Sequence, residues 1–165
     1  MSNSEKIRAL LDKPEFPRGA SYDADFMLDG QMGPNAVWLT EWLCRELPLE
    51  PGARVLDLGC GRALSSVFLA REFGTQVVAA DLWIEPEGNW NRVRAAGCAG
   101  QVIPMALEAH HLPFAPGYFD AVVSVDAYHY FGTDDLYLSY LAGFVREGGR
   151  IAIVVPGLMG EFDGG

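Results

Sequence analysis

The chain has 165 residues, and half of them are hydrophobic, which suits one folded domain with a substantial core and excludes a disordered chain. Its 22 acidic residues outnumber 12 lysines and arginines, giving a net charge of −10. This charge argues against a nucleic acid or an anionic membrane as a partner, because either one requires a basic protein surface.

The cysteines and the N-terminus carry no signal for secretion or for metal binding. Cys44, Cys60 and Cys98 are widely spaced and form no CxxC pair, so neither a disulfide framework nor a metal site is expected. The N-terminal residues contain no apolar signal core, and no segment approaches the roughly 18 apolar residues of a membrane span. We therefore expect a cytoplasmic protein.

Residues 1–50 differ in character from the rest of the chain. They are polar at first and are interrupted by prolines, and an apolar stripe predicts a helix over residues 35–46. We interpret residues 1–50 as an N-terminal helical strap or lid over a core formed by residues 51–165. A lid over an active site and a plain packing strap are equal alternatives for this segment.

From residue 54 onward, apolar strand patterns alternate with helical patterns. Strands are predicted over residues 54–58, 76–82, 102–107, 119–127 and 150–155, and helices over 63–73, 89–96 and 133–145. Such alternation predicts an α/β fold, a Rossmann-like three-layer sandwich with a mostly parallel sheet. An apolar fifth strand at the sheet edge would be exposed, so we expect either a chain truncated after this strand or a homodimer that covers it.

The run Val55–Gly61 is the most informative segment of the sequence. It reads as a buried strand that passes directly into a turn with two glycines, Gly59 and Gly61. Glycine permits a sharp turn and lets the backbone approach a ligand closely. Asp57 lies inside the apolar strand, where a carboxylate is costly to bury without hydrogen bonds. We therefore expect Asp57 to brace the turn or to hold a ligand.

Polar residues follow the predicted strands at the edge where a parallel sheet binds ligands. Asp81 ends the second strand, Glu108 follows the third, and Asp126 ends the fourth. Asp81 lies 20 residues after Gly61, a spacing that places its carboxylate near both hydroxyls of a ribose. Leu64 occupies the position of a third glycine, which argues against a pyrophosphate cradle.

These motifs together resemble the class I S-adenosylmethionine-dependent methyltransferases over roughly residues 50–156. Residues 55–61 are similar to the family motif around the methionine part of the cofactor, and Asp81 to its ribose-binding acid. The resemblance implies that Leu82 and Trp83 flank the adenine and that Glu108-Ala109 is the adenine-binding motif, although the family usually has Asp in place of Glu108. The family sheet has seven strands, and five are predicted here.

The resemblance implies methyl transfer from S-adenosylmethionine to a small-molecule acceptor. Because that reaction depends mainly on alignment, the family needs no shared catalytic residue. The candidates for a catalytic role follow the fourth strand: His129 as a general base, with Tyr128 and Tyr130 orienting the acceptor. A structural role for His129 has equal weight. The alternatives to this function are an NAD-linked oxidoreductase and a non-catalytic cofactor-binding or scaffold protein.

Overall fold

The computed structural model describes residues 3–157 of the chain. Its helices are α1 (Asn3–Leu11), α2 (Ala24–Gly30), α3 (Ala36–Leu43), α4 (Leu64–Phe73), α5 (Pro86–Ala95) and α6 (Tyr137–Ala142). Its strands are β1 (Arg54–Leu58), β2 (Gln76–Asp81), β3 (Val102–Ala106), β4 (Phe119–Val125) and β5 (Val145–Val154). Within these residues, every helix is too short or too polar to span a lipid bilayer.

The five strands form one parallel sheet in the order β3-β2-β1-β4-β5. Strand β1 is central, and its successive residues pack on opposite faces of the sheet. Val55 belongs to the hydrophobic cluster that includes α3 and α4, and Leu56 belongs to the cluster that includes α6. Helices therefore cover both faces, which confirms the predicted α/β Rossmann-like architecture. The strand order reverses between β1 and β4, and this reversal opens a crevice at the carboxyl ends of the strands.

The central elements lie where the sequence predicts them. Strand β1 matches its prediction, and the next three strands begin as predicted and end one or two residues earlier. The predicted helix over 133–145 is too long, because α6 begins at Tyr137. Asp134, instead of entering the helix, accepts a hydrogen bond from the backbone N–H of Leu136 at 2.7 Å in the preceding turn.

Strand β5 begins five residues earlier than predicted. Val145 already pairs with Phe119, and the register shifts between Phe119 and Ala121. Gly149 lies inside the strand, where a Cβ would come within 2.6 Å of the carbonyl oxygen of Asp120. Gly149 therefore permits close strand contact at this irregularity.

The N-terminal segment packs into the same core as the sheet. Tyr22, Met27 and Val37 are buried against residues of α4 and β1. Helix α3 is shorter than predicted and is capped by Asn35, whose side chain accepts a hydrogen bond from the N–H of Trp38 at 3.1 Å. Helix α2 was not predicted from the sequence, and it leads directly to the crevice at the sheet edge.

Candidate functional site

A cavity of about 260 Å³ opens at the carboxyl ends of β1 to β4. Its wall is formed by residues from five segments of the chain: 30–36, 58–65, 80–83, 107–110, and 125–131 without Tyr128 and His129. The first of these lies between α2 and α3, and we call residues 29–36 the strap. The cavity is thus built from the N-terminal segment and from each loop that follows a central strand.

The glycine loop after β1 is held against strand β2. The N–H groups of Gly59 and Cys60 both donate to the carbonyl oxygen of Ala80, at 2.8 and 3.0 Å. Gly59 has a positive φ of 77°, and a Cβ there would lie 2.4 Å from the Cβ of Ala127. Gly59 is therefore required for packing against the loop after β4, a reason that the sequence did not reveal.

The peptide groups of Gly61 are held from both sides. Its N–H donates to the Asp81 carboxylate at 2.8 Å, and its carbonyl oxygen accepts from the Asn89 amide at 2.8 Å. Asn89 lies on α5 and is only 2% exposed. The sequence analysis did not identify Asn89. The feature that could have indicated its role is a polar amide side chain on the apolar side of a helix.

Asp81 organises the turn that follows β2 as well as the glycine loop. Its second carboxylate oxygen accepts hydrogen bonds from the N–H groups of Trp83 and Ile84, at 2.8 and 3.0 Å. A carboxylate oxygen has about two acceptor positions, so the oxygen that binds Gly61 keeps one position free. Asp81 lies in the cavity wall, as the sequence predicted. The sequence also predicted that its carboxylate accepts hydrogen bonds from both ribose hydroxyls, but only one acceptor position remains free.

Asp57 lies beneath the cavity and is not part of its wall. It is fully buried, and one carboxylate oxygen accepts hydrogen bonds from the hydroxyls of Ser65 and Ser66, each at 2.6 Å. The other oxygen has no hydrogen-bond partner among residues 3–157, and burial raises the pKa of this carboxyl group to about 6. Of the two roles expected for Asp57, this position favours the first: Asp57 braces the first turn of α4, on which the glycine loop rests.

Glu108 and Ala109 line the cavity together with His110. Glu108 contacts the Nδ1 atoms of His110 and His111, at 2.8 and 2.6 Å. Hydrogen bonds from the side chain and backbone of His110 lower the pKa of Glu108 to about 2. The buried Tyr137 holds this loop by donating from its hydroxyl to the carbonyl oxygen of Ala109 at 3.0 Å.

Asp126 lines the cavity at the end of β4 in an unusual backbone conformation. Its φ of 54° is uncommon for a residue other than glycine, although aspartate tolerates the left-handed region better than most residues. Its carboxylate faces the strap, because a Cβ on Gly33 would lie 2.7 Å from the Asp126 Oδ2 atom. Such strained conformations often mark functional sites.

Of the three residues expected to act on an acceptor, Tyr128 and His129 lie outside the cavity wall. Tyr128 packs against Phe131 and Tyr137, and His129 is solvent-exposed with its ring against Tyr130. The short 3-10 turn formed by these residues directs only Tyr130 toward the cavity. The catalytic roles of Tyr128 and His129 stay predictions, and the structure places both residues beside the cavity rather than in its wall.

The strap crosses the glycine loop at close range. A Cβ on Gly30 would lie 2.5 Å from the Leu64 side chain, and one on Gly61 would lie 3.0 Å from the sulfur of Met32. Leu64, which stands where a third glycine would be, thus packs against the strap. This contact leaves no space for a phosphate cradle at the start of α4.

Two arginines fasten the beginning of the strap to the core. Arg62 donates a hydrogen bond to the carbonyl oxygen of Asp29 at 2.7 Å, and Arg92 forms an ion pair with the Asp29 carboxylate. The Arg92 guanidinium lowers the pKa of Asp29 by hydrogen bonding and by charge. The strap is therefore attached both to the glycine loop and to helix α5.

The parallel sheet and the glycine loop define a Rossmann-like nucleotide-binding domain. Residues 55–149 match the family model described as "Methyltransferase domain", so more than half of the chain is covered and it belongs to that family.

Two curated relatives and one solved structure show how far this similarity extends. The chain is 32% identical over 126 residues to methyltransferase GfsG of Streptomyces halstedii, covering 76% of this chain and 45% of the relative. It is 33% identical over 152 residues to a demethylmenaquinone methyltransferase of Mycobacterium sp. (strain KMS), covering 88% and 62%. An S-adenosylmethionine-dependent methyltransferase from Thiobacillus denitrificans, solved with S-adenosyl-L-homocysteine, is 30% identical with a TM-score of 0.61, covering 74% and 48%. The chain thus spans about half the length of these proteins.

Proposed function

We propose that the chain binds S-adenosylmethionine in this cavity and serves as the catalytic domain that transfers the methyl group to a small-molecule acceptor. The observation that carries the proposal is the charge of the cavity wall. It contains three carboxylates, Asp81, Glu108 and Asp126, and one guanidinium, Arg62. S-adenosylmethionine has a sulfonium and an ammonium against one carboxylate, so its net positive charge complements this wall.

The same wall disfavours the oxidoreductase alternative. NAD carries a pyrophosphate with two negative charges, which would face the three carboxylates of the cavity. A pyrophosphate would also require space at the start of α4, where Leu64 packs against Gly30. Both electrostatic and steric arguments therefore favour a ligand with a ribose and no pyrophosphate.

The glycine loop is the proposed binding site for the methionine part of S-adenosylmethionine. Gly59 and Gly61 line the cavity in a conformation fixed by β2 and Asn89, and Asp126 lines the same cavity. The Asp126 carboxylate suits the ammonium group, and the free acceptor position on Asp81 suits one ribose hydroxyl. These contacts require no rearrangement of the glycine loop. The preformed loop favours affinity because little conformational entropy of the loop is lost on binding.

The adenine is proposed to lie between the turn after β2 and the loop after β3. Leu82 and Trp83 line one side of the cavity there, and Glu108 and Ala109 line the other. The Glu108 carboxylate would accept a hydrogen bond from the amino group of adenine in competition with its two histidine partners. An apolar slot with one acceptor at its end is a common way to bind a purine ring.

When bound, S-adenosylmethionine supplies an electrophilic methyl group: an acceptor lone pair forms the new bond to the methyl carbon while the carbon–sulfur bond breaks and its electron pair goes to sulfur. The chain contributes alignment of the reactants, and the cavity and its strap exclude water from them. A base is needed only where the acceptor must lose a proton before it attacks; otherwise the proton leaves after the transfer, when the product reaches solvent. The second case is consistent with the positions of Tyr128 and His129 outside the cavity wall.

We also propose that the protein is located in the cytoplasm. Cys44, Cys60 and Cys98 are buried free thiols, which supports a reducing cytoplasmic environment.

We further propose that the protein forms a homodimer. The outer edge of β5 has no strand partner among residues 3–157, which supports a homodimer formed at that edge. Sedimentation equilibrium across a range of protein concentrations tests the homodimer.

Calorimetric titration tests the binding part of the proposal directly. We expect S-adenosylhomocysteine to bind and NAD not to bind under the same conditions. The opposite pattern would overturn the proposal in favour of an oxidoreductase. Turnover of S-adenosylmethionine over a panel of small acceptors then separates a methyltransferase from a protein that only binds the cofactor.

A further inference from the structure

Large apolar side chains surround the mouth of the cavity while remaining exposed to solvent. Met32, Leu82, Trp83 and Tyr130 all line the cavity and are 57 to 67% exposed. Among residues 6–157, they account for four of the seven most exposed large apolar side chains. Single exposed apolar residues are ordinary, but a group of them at a pocket marks a binding surface.

The group is assembled from three separate segments of the chain. Met32 comes from the strap, Leu82 and Trp83 from the turn after β2, and Tyr130 from the turn after β4. The rings of Trp83 and Tyr130 meet edge to face, with centroids 5.1 Å apart. Because β2 and β4 lie on either side of β1, this contact crosses above the glycine loop and forms an aromatic roof over the cavity.

The charges under this roof restrict what can approach it. Asp81, Glu108 and Asp126 repel an anionic acceptor, and the whole chain has a net charge of −10. The roof itself offers apolar and aromatic surface, with the Tyr130 hydroxyl as its polar group. A hydrophilic or anionic acceptor would exchange its hydration for few hydrogen bonds at this mouth.

We propose that the methyl acceptor is an uncharged, largely apolar molecule whose apolar part rests on Met32, Trp83 and Tyr130. This inference rests on the proposed function, and it adds the chemical class of the acceptor to it. Tyr130 is the specificity-determining residue of this surface, since it is the residue of the turn after β4 whose aromatic ring closes the roof. To reach the space beneath, the acceptor displaces the edge-to-face contact of Tyr130 with Trp83.

Calorimetry with a homologous series of probes tests the inference. The protein is first titrated with S-adenosylhomocysteine, and the loaded protein is then titrated with 4-alkylphenols of increasing chain length. We expect the dissociation constant to fall by up to about fourfold for each methylene that contacts the roof, the value for a fully buried methylene group. The corresponding 4-alkylbenzoates carry a negative charge, and we expect them to bind about tenfold more weakly, a factor that corresponds to about 1.4 kcal/mol of repulsion from the cavity carboxylates.

Substitutions separate this surface from general hydrophobic adsorption. Tyr130→Ala and Met32→Ala should flatten the dependence on chain length, whereas Trp42→Ala should leave it unchanged. Trp42 is a matched control because it is 53% exposed and lies outside the cavity wall. Circular dichroism of each variant verifies that the fold is retained.

The outcomes distinguish the two proposals. Binding of S-adenosylhomocysteine without any chain-length dependence, or with equal affinity for the benzoates, overturns the apolar-acceptor inference and leaves the proposed function intact. Equal loss of chain-length dependence in the Trp42 variant also overturns it, because the apolar contact would then not be at the roof. Failure of S-adenosylhomocysteine to bind overturns the proposed function and the inference together.

Discussion

Asp57 couples the stability of the core to pH. It is fully buried, with one oxygen on Ser65 and Ser66 and the other without a partner in the described part of the chain, and burial raises its pKa to about 6. A raised pKa means that the folded state binds the proton more tightly than the unfolded state, in which the pKa of aspartate is about 3.9. The stabilising effect of the protonated carboxyl group is therefore complete below about pH 4 and is lost as the pH rises toward 6.

The first prediction concerns Asp57→Asn. A difference of about two pKa units corresponds to about 3 kcal/mol of unfolding free energy, which the wild type should lose relative to the Asn variant between pH 4 and 7. Urea denaturation of both proteins at several pH values measures it. The comparison cancels the opposite trend from Glu108, whose pKa is lowered to about 2. A free-energy difference that is independent of pH would show that Asp57 does not titrate in this range.

Asp81 connects the glycine loop to the turn after β2 through three backbone hydrogen bonds. Asp81→Ala removes all of them, together with the proposed ribose contact. We expect S-adenosylhomocysteine binding to weaken by about 1.5–3 kcal/mol, the range for hydrogen bonds to a charged group. Calorimetry measures this change, with Asp135→Ala as the control because Asp135 is exposed and outside the cavity wall. Unchanged affinity would remove Asp81 from the binding site.

At the scale of elements, the strap is held to the core by polar side chains and by close backbone contacts. Its first residue, Asp29, is held by Arg62 through its carbonyl oxygen and by Arg92 through its carboxylate. Three close approaches follow along the strap, at Gly30, Met32 and Gly33. A short segment without regular secondary structure, held partly by polar side chains, opens at a lower free energy than the sheet beneath it.

Arg92→Ala should therefore increase opening of the strap without unfolding the core. The expected result is faster amide hydrogen exchange over residues 29–36, with exchange in β1 unchanged. Arg94→Ala is the matched control, since Arg94 lies on the same helix and is exposed. Equal exchange in both variants would indicate that the glycine contacts alone hold the strap in place.

For the whole molecule, the sequence was sufficient where local pattern and tertiary structure agree. Strand β1 and helix α4 were predicted because an apolar run, a glycine turn and a helical pattern follow one another without conflict. The residues of the cavity wall at Asp81, Glu108 and Asp126 were predicted because a parallel sheet brings its carboxyl ends to one edge. These predictions required only the succession of the strands along the chain.

Other features depend on contacts between residues that are distant in sequence. Asn89 holds the Gly61 carbonyl from a different element, and Gly59 is fixed by its approach to Ala127. The turn after β4 directs Tyr130 rather than His129 toward the cavity. Composition and spacing do not encode such orientations, because they arise when separate loops pack together at the sheet edge.

The stabilisation of the fold by a bound ligand should depend on the whole site, because the cavity wall joins five segments from residues 30 to 131. S-adenosylhomocysteine at about 100 times its dissociation constant should stabilise the fold by about 2.7 kcal/mol. For a domain of 165 residues, this corresponds to a rise in Tm of about 5–10 °C. Differential scanning calorimetry measures the shift, with NAD at the same concentration as the comparison ligand.

The Asp81→Ala variant provides the internal check on this thermal shift. Its Tm should rise by about a tenth to a half of the wild-type increase at the same ligand concentration, because stabilisation falls as the dissociation constant rises. The Arg94→Ala variant should keep the full increase, since Arg94 lies outside the cavity wall. A full increase in the Asp81 variant, or an equal increase with NAD, would mean that the ligand stabilises the protein at some place other than the cavity above the glycine loop.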